Sequence, residues 1–176
     1  MRVLKNTWFV PAIFILLGIS FSFSCQRQPR ENEAVQHTIA RMEHSDEALL
    51  QIAEDAQRTV HLFFRNLLRT DLGGENFSIK YPFMADSDSG IVSEQVWLSG
   101  IQFDNGLYYG VIVSEPQHLT GMRRGDTVMF DVDEITDWMY TQNGRIIGGR
   151  SIQYLLEQIP EAQRSEEQRR ILLRFD

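Results

Sequence analysis

Near Gly73–Gly74 the spacing of apolar residues changes from three-and-four to two, and that change decides the class of fold. Upstream, Leu49, Ile52, Ala53, Ala56, Val60, Phe63, Phe64 and Leu67 recur at helical intervals, which places them on one stripe of a helix from Asp46 to about Thr70. Ser45 stands where an N-cap belongs, Asp46 and Glu47 put negative charge in the first turn, and Arg65 and Arg69 put positive charge near the last. The glycine pair stops the helix. Downstream, Phe77, Ile79, Tyr81 and Phe83 alternate with Ser78, Lys80 and Pro82, the period of a strand. Pro82 cannot donate to a ladder, so this strand is expected at a sheet edge.

The rest of the chain keeps the short period. Strands are expected from about Gln95 to Phe103 and from Leu107 to Ser114, joined by Asp104-Asn105-Gly106; Asn-Gly supplies the positive-φ pair of a tight hairpin. Thr127 to Asp133 alternates Val128, Phe130 and Val132 as a fourth strand. Trp138 to Thr141 and Arg145 to Ile147, joined through Asn143-Gly144, read as a second hairpin. Ser151 then caps a short helix carrying Ile152, Leu155, Leu156 and Ile159, and residues 160–176 form a charged helical tail docked by Ile171 and Leu172. Hairpin-sized connections leave no room for parallel crossovers. The expected fold is therefore α+β: a long N-terminal helix packed on a curved antiparallel sheet of four to six strands, with short C-terminal helices. A cystatin-like sheet and a small SH3-like barrel both satisfy this order.

Ahead of the domain, residues 1–24 place Arg2 and Lys5 before an uncharged stretch from Asn6 to Ser24, and Cys25, the lone cysteine, follows at once. A basic end, an apolar core and small residues at the cut make an export signal. Ser22-Phe23-Ser24-Cys25 resembles a lipobox, with Ser22 where leucine is usual. An uncleaved membrane anchor and plain secretion with a free thiol are the other two readings. Lipidation at Cys25 implies membrane attachment without a spanning helix, since two or more acyl chains anchor stably. One cysteine also excludes an internal disulfide framework. Losing Arg2 and Lys5 takes the formal net charge from −7 to −9, which excludes nucleic acid as an expected partner. Residues 25–45 are polar and form a spacer; residues 46–159 hold the folded domain.

The reactive inventory is short. Neither G-x-S-x-G, G-x-x-x-x-G-K nor H-E-x-x-H occurs. His37 and His44 lie in the spacer, His61 on the polar side of the long helix and His118 in a loop, too dispersed for zinc. Asp86-Ser87-Asp88-Ser89-Gly90 has its glycine one position early for a calcium loop. Asp126, Asp131, Asp133, Glu134 and Asp137 are close in sequence; two carboxylates can act as acid and base, while strand alternation makes Asp131 and Asp133 ordinary outward-facing residues. Trp97, Tyr108, Tyr109, Trp138 and Tyr140 suit either a core or a binding groove. Arg123-Arg124 read as loop charges able to grip an anion.

Several segments together carry a resemblance. Glu94-Gln95-Val96-Trp97, Gly106 to Pro116, Arg124-Gly125-Asp126-Thr127-Val128, Ile135-Thr136-Asp137-Trp138-Met139-Tyr140 and Gly148-Gly149 resemble the YegJ-like family of small bacterial proteins, domain of unknown function 2314. The similarity covers roughly residues 48–157 and departs at Gln95, where the family often has histidine, and at Ser114, where it often has asparagine. It implies one compact α+β domain and no particular activity. The expectation from these residues is a lipid-anchored extracytoplasmic binding or protein-interaction module of the cell envelope, with Trp97, Arg124, Asp126, Asp137, Trp138 and Tyr140 as candidate binding residues. No cofactor, metal or catalytic residue is expected; the partner is an envelope protein or small ligand. A carboxylate-based envelope hydrolase and an immunity-type protein with an acidic face are the alternatives.

Overall fold

The computed structural model describes residues 47–85 and 93–175. Cys25 and its leader, the spacer with His37 and His44, the caps Ser45 and Asp46, and the Asp86–Gly90 segment lie outside the described residues.

Helix α1 spans Glu47–Leu68. Its apolar stripe buries Leu49, Ala56 and Phe63, with Val60, Phe64 and Leu67 packed alongside. Asn66 is buried too, and turns its amide onto the Leu62 carbonyl at 2.8 Å, so its polar atoms are not stranded. A 3₁₀ turn at Thr70–Leu72 then leads to the sheet.

Six strands follow: β1 (Gly74–Met84), β2 (Ser93–Asp104), β3 (Leu107–Ile112), β4 (Thr127–Phe130), β5 (Asp137–Gln142) and β6 (Arg145–Gly148). They form one open sheet in the order β4-β3-β2-β1-β5-β6, antiparallel throughout. Both Asn-Gly turns adopt the left-handed pair that tight hairpins need, with φ of 50° and 86° at Asn105 and Gly106. The sheet curves without closing, which excludes the barrel alternative. Tyr81 of β1 reaches Phe130 of β4 (ring centroids 6.1 Å apart) although two strands separate them. Bulges between Glu75 and Ser78 in β1 and between Ser99 and Gln102 in β2 lie at one level, because Ser78 pairs with Ser99. A bulge bends its strand and raises its twist.

The concave face holds Ile79, Tyr81, Val96, Leu98, Ile112, Phe130, Trp138 and Tyr140, and packs on α1. Phe63 is fully buried at its centre. Its ring stands edge-on to Phe64 at 5.3 Å and Phe77 at 5.5 Å, a favoured aromatic geometry.

Five expectations need correction. The strand holding Pro82 is central, between β2 and β5; β5 starts at Asp137 opposite Lys80, so by Pro82 there is no neighbour on that side to need an N–H. The third strand ends at Ile112 rather than Ser114: past the Val113 N–H bond to the Trp97 carbonyl at 3.0 Å, the Ser114 hydroxyl, not its backbone, takes the Trp97 N–H at 3.3 Å. The fourth ends at Phe130: the Asp131 carboxylate accepts the Asp133 N–H at 3.0 Å and opens a 3₁₀ turn, Val132–Glu134. Asp131 and Asp133 are thus turn residues, because a short acidic side chain competes with the ladder for backbone donors. Helix α2 spans Arg150–Gln158 with Gly149, not Ser151, at the N-cap. In the tail, α3 (Glu166–Leu172) has a capping box of Ser165 and Gln168, and the buried anchor is Phe175, which bridges Ile146 of β6. Ile171 and Leu172 are only half-buried.

Candidate functional site

Antiparallel register places Trp97, Lys80 and Asp137 in one row across β2, β1 and β5, on the face of the sheet turned from the main core. Lys80 is 6% exposed, Asp137 2%, and Ser151 of α2, which joins them, 3%. A buried charge is tolerated only when paired and hydrogen-bonded. Here the Lys80 ammonium donates to Ser151 Oγ at 3.3 Å, and the Ser151 hydroxyl bonds the Asp137 carboxylate. Asp137 also accepts the Ser151 N–H at 2.8 Å and the Trp138 N–H at 2.8 Å. The carboxylate thereby caps the first turn of α2 from another strand, where negative charge is favoured. Burial pushes the Asp137 carboxyl above its usual range; the Ser151 hydroxyl, the two N–H groups and Lys80 pull the other way.

This chain of three stands between two clefts. One, of about 180 Å³, has Lys80, Ser93, Gln95, Thr136 and Ser151 on its polar wall. Leu49, Leu50 and Ala53 of α1 form the apolar wall. The Thr136 hydroxyl lies 2.6 Å from Gln95 Oε1 and 3.2 Å from the Lys80 carbonyl oxygen, which ties Gln95 to the end of β1. The second cleft, of about 480 Å³, is a groove with Asp137 and Trp138 in its wall and Arg58 and Arg150 beside them. Its charges are of both signs, and Arg58 is engaged by Asp55. Among the described residues no three His, Cys, Asp or Glu side chains form a metal-holding group, and no described helix is long and apolar enough to cross a membrane.

Of the residues singled out from sequence, Trp97 and Asp137 are brought together through Lys80. Trp97 is half-buried, its N–H on Ser114 Oγ at 3.3 Å. Trp138 and Tyr140 lie inside the fold: the rings stack at 6.1 Å, and the Trp138 indole N–H reaches the Ala56 carbonyl at 3.3 Å and Thr59 Oγ at 3.2 Å on α1. Burial raises the Tyr140 hydroxyl's pKa, with Arg65 opposing. Asp126 and Arg124 sit apart, in the turn that opens β4. Asp126 accepts the Arg123 N–H at 3.0 Å, and Arg124 is exposed. Glu134 is held by the Tyr81 hydroxyl.

Sequence reasoning missed Lys80 and Ser151. Lys80 reads as the outward member of an alternating strand, and Ser151 as a helix cap; only the register with Asp137 unites them. Gln95, one of the two positions that depart from the family resemblance, lines the smaller cleft.

Fold and site together define a small α+β domain with one long helix over an open sheet and a lysine–serine–aspartate chain beneath it. Residues 46–175 match the family described as "Uncharacterized protein conserved in bacteria (DUF2314)", and the chain belongs to that family. Two relatives carry the likeness further. One, a "Putative ankyrin repeat protein" of Neisseria meningitidis serogroup B, is 36% identical over 129 residues, covering 71% of this chain and 51% of that protein. The other, "Uncharacterized protein YegJ" of Escherichia coli K12, is 27% identical over 132 residues, covering 75% of this chain and 82% of that protein. The chain thus spans about half the length of the first relative. No solved structure matches it.

Proposed function

We propose that the chain is a membrane-tethered, extracytoplasmic binding domain without catalytic action, anchored by lipid on Cys25 and offering the cleft beside Lys80 to a small ligand. The observation that carries this reading is the direction of the hydrogen bonds: Lys80 gives to Ser151, which gives to Asp137. A serine activated by lysine needs the reverse, an amine that accepts the hydroxyl proton. A carboxylate beside the serine favours the ammonium, so the lysine is not the base such a serine requires. Of the acidic residues a hydrolase would use, Asp126 is engaged with Arg123, Glu134 with Tyr81 and Asp137 with α2, while Asp133 stands exposed in the 3₁₀ turn. The tether rests on the residues before Cys25 and on the acyl arithmetic of membrane anchoring.

Palmitate labelling in a bacterial host tests the tether. Wild type is expected to take label and Cys25→Ala to lose it; label retained by the variant overturns anchoring at Cys25. For binding, the full chain in neutral detergent is screened for thermal stabilisation by small molecules, and each stabilising compound is recovered and weighed by mass spectrometry. Intact recovery is expected. Chemical alteration that scales with protein overturns the non-catalytic reading, and a screen with no stabilising compound overturns the small-ligand reading.

A further inference from the structure

The two edges of the sheet end differently. Along β6 the chain covers its own edge: the Ile146 N–H donates to the Arg174 carbonyl at 2.7 Å, and Phe175 bridges Ile146. At the other edge stands β4, the last strand in the order. The Asp126 carbonyl accepts the Ile112 N–H at 2.9 Å and so faces β3. Backbone alternation then turns the N–H and C=O of Thr127 and of Met129 away from the sheet. Both residues are exposed. An open row of donors and acceptors is a template for another strand.

Charge selects what pairs there. Arg123 and Arg124 stand just before β4, and Asp131 and Asp133 just after it. Arg124 and Asp133 are exposed, and neither side chain has a hydrogen-bond or ion-pair partner among the described residues. Charges at an edge commonly guard it, and like charges at both ends would repel a second copy in either direction. Unlike charges repel only a parallel copy; an antiparallel one brings each arginine end against the other's aspartate end. Backbone engagement also selects the register. The Gly125 N–H is on the Ile112 carbonyl, the Asp131 N–H on the Tyr81 hydroxyl, and the Asp131 carbonyl takes the Glu134 N–H. The open groups therefore stop at Thr127 and Met129, and only an axis at Val128 uses them all, setting Thr127 opposite Met129 of the other copy. We propose that β4 is a self-association edge, where two copies of the chain join antiparallel about a two-fold axis at Val128 and their six-stranded sheets become one. So short a pairing makes a small, transient interface below about 1,200 Å², with a dissociation constant on the order of 10–100 μM.

Two chains of formal net charge −7 repel one another, so the test runs at about 0.15 M salt, which screens charge beyond about 8 Å. The full chain, in neutral detergent with micelles in excess, is followed by sedimentation equilibrium and amide hydrogen exchange. Wild type should pass from monomer to dimer over that concentration range. As it does, exchange at the Thr127 and Met129 amides should slow, while Val128 and Phe130, already paired with β3, stay unchanged. Arg124→Glu should weaken the dimer about tenfold, because two junctions turn from attraction to repulsion at once. Asp133→Arg should weaken it as well. An equimolar mixture of the two variants should associate more tightly than either alone, since it again sets unlike charges together. Both positions are exposed, so each variant should melt as wild type does. A wild type that stays monomeric to about 1 mM, a dimer indifferent to both substitutions, unprotected Thr127 and Met129 amides in the dimer, or a mixture no tighter than its components each overturns the proposal.

Discussion

Gly144 and Gly148 share one backbone conformation, φ +78°, but not one neighbourhood. A β-carbon on Gly144 meets no atom within 4 Å, whereas one on Gly148 falls 2.1 Å from the Trp138 carbonyl oxygen and 2.8 Å from its ring. Both alanine variants carry the left-handed penalty of about 1–2 kcal/mol. Only Gly148→Ala must also move the end of β6 away from β5. That displacement breaks the Gly149 N–H bond to the Trp138 carbonyl, 2.9 Å long, costing about 0.5–1.5 kcal/mol. Pushing the indole against Phe63, whose ring centroid lies 6.1 Å away, adds an overpacking term of about 1–3 kcal/mol. Gly148→Ala should therefore lose roughly 2–4 kcal/mol more than Gly144→Ala. With a urea slope of about 2 kcal/mol per molar, the midpoints should separate by roughly 1–2 M. Tryptophan fluorescence during urea unfolding of both variants reads this directly. Equal midpoints would refute the reasoning, since they would leave backbone strain as the whole effect and the close approach to Trp138 as irrelevant.

Glu94 holds the loop after β3 by accepting the Gln117 and His118 N–H groups, each at 2.7 Å. Glu94→Ala should cost about 2–4 kcal/mol, and limited proteolysis should begin cutting at residues 115–126. Arg164 closes α2 by donating to the carbonyls of Leu156, Glu157 and Ile159; Arg164→Ala should cost about 1–2 kcal/mol in thermal unfolding and speed amide exchange in α3. Asp137 gives a signed pH dependence. Its folded pKa is raised by burial, so between the unfolded value of about 3.9 and that raised value the folded state holds more protons and stability falls as pH rises. The stability of wild type minus that of Asp137→Asn, from urea titrations between pH 4 and 7, should shrink with rising pH; growth with pH would contradict the assignment.

The fold was legible wherever a local rule governs. The stripe from Leu49 to Leu67 needs only the helical period, and Asn105-Gly106 and Asn143-Gly144 need only the left-handed tolerance of those residue types. Legibility failed where a distant partner overrides the local preference. Pro82 signals an edge, and chemically it is one: its own side of β1 is unpaired beyond Lys80, although β1 is central elsewhere. Thr127 to Asp133 alternates faultlessly, yet Asp131 takes a backbone donor for itself and ends the strand. At the site, Trp97 and Asp137 stood out as residue types, but Lys80 looked like a solvated strand residue. Its burial follows from pairings with positions 17 residues later and 57 residues later, which no local pattern encodes.

The early end of β5 explains why a cleft exists at all. The Thr136 N–H makes the last bond to β1, on the Lys80 carbonyl at 2.9 Å, and Pro82 offers nothing beyond it. Sheet hydrogen bonding ceases there, and α1 contributes Leu49 and Ala53 to the space that remains. Into this space the chain sets an ammonium rather than another aliphatic group. Such a choice is poor for stability, because burying an ion pair often gains nothing over apolar residues of equal volume. Asp137 gives a return by capping α2, and Lys80 by donating to Ser151 and standing as the cation beside Asp137. The aspartate, the serine and the lysine thus depend on one another, because removing any one leaves a buried polar partner unsatisfied.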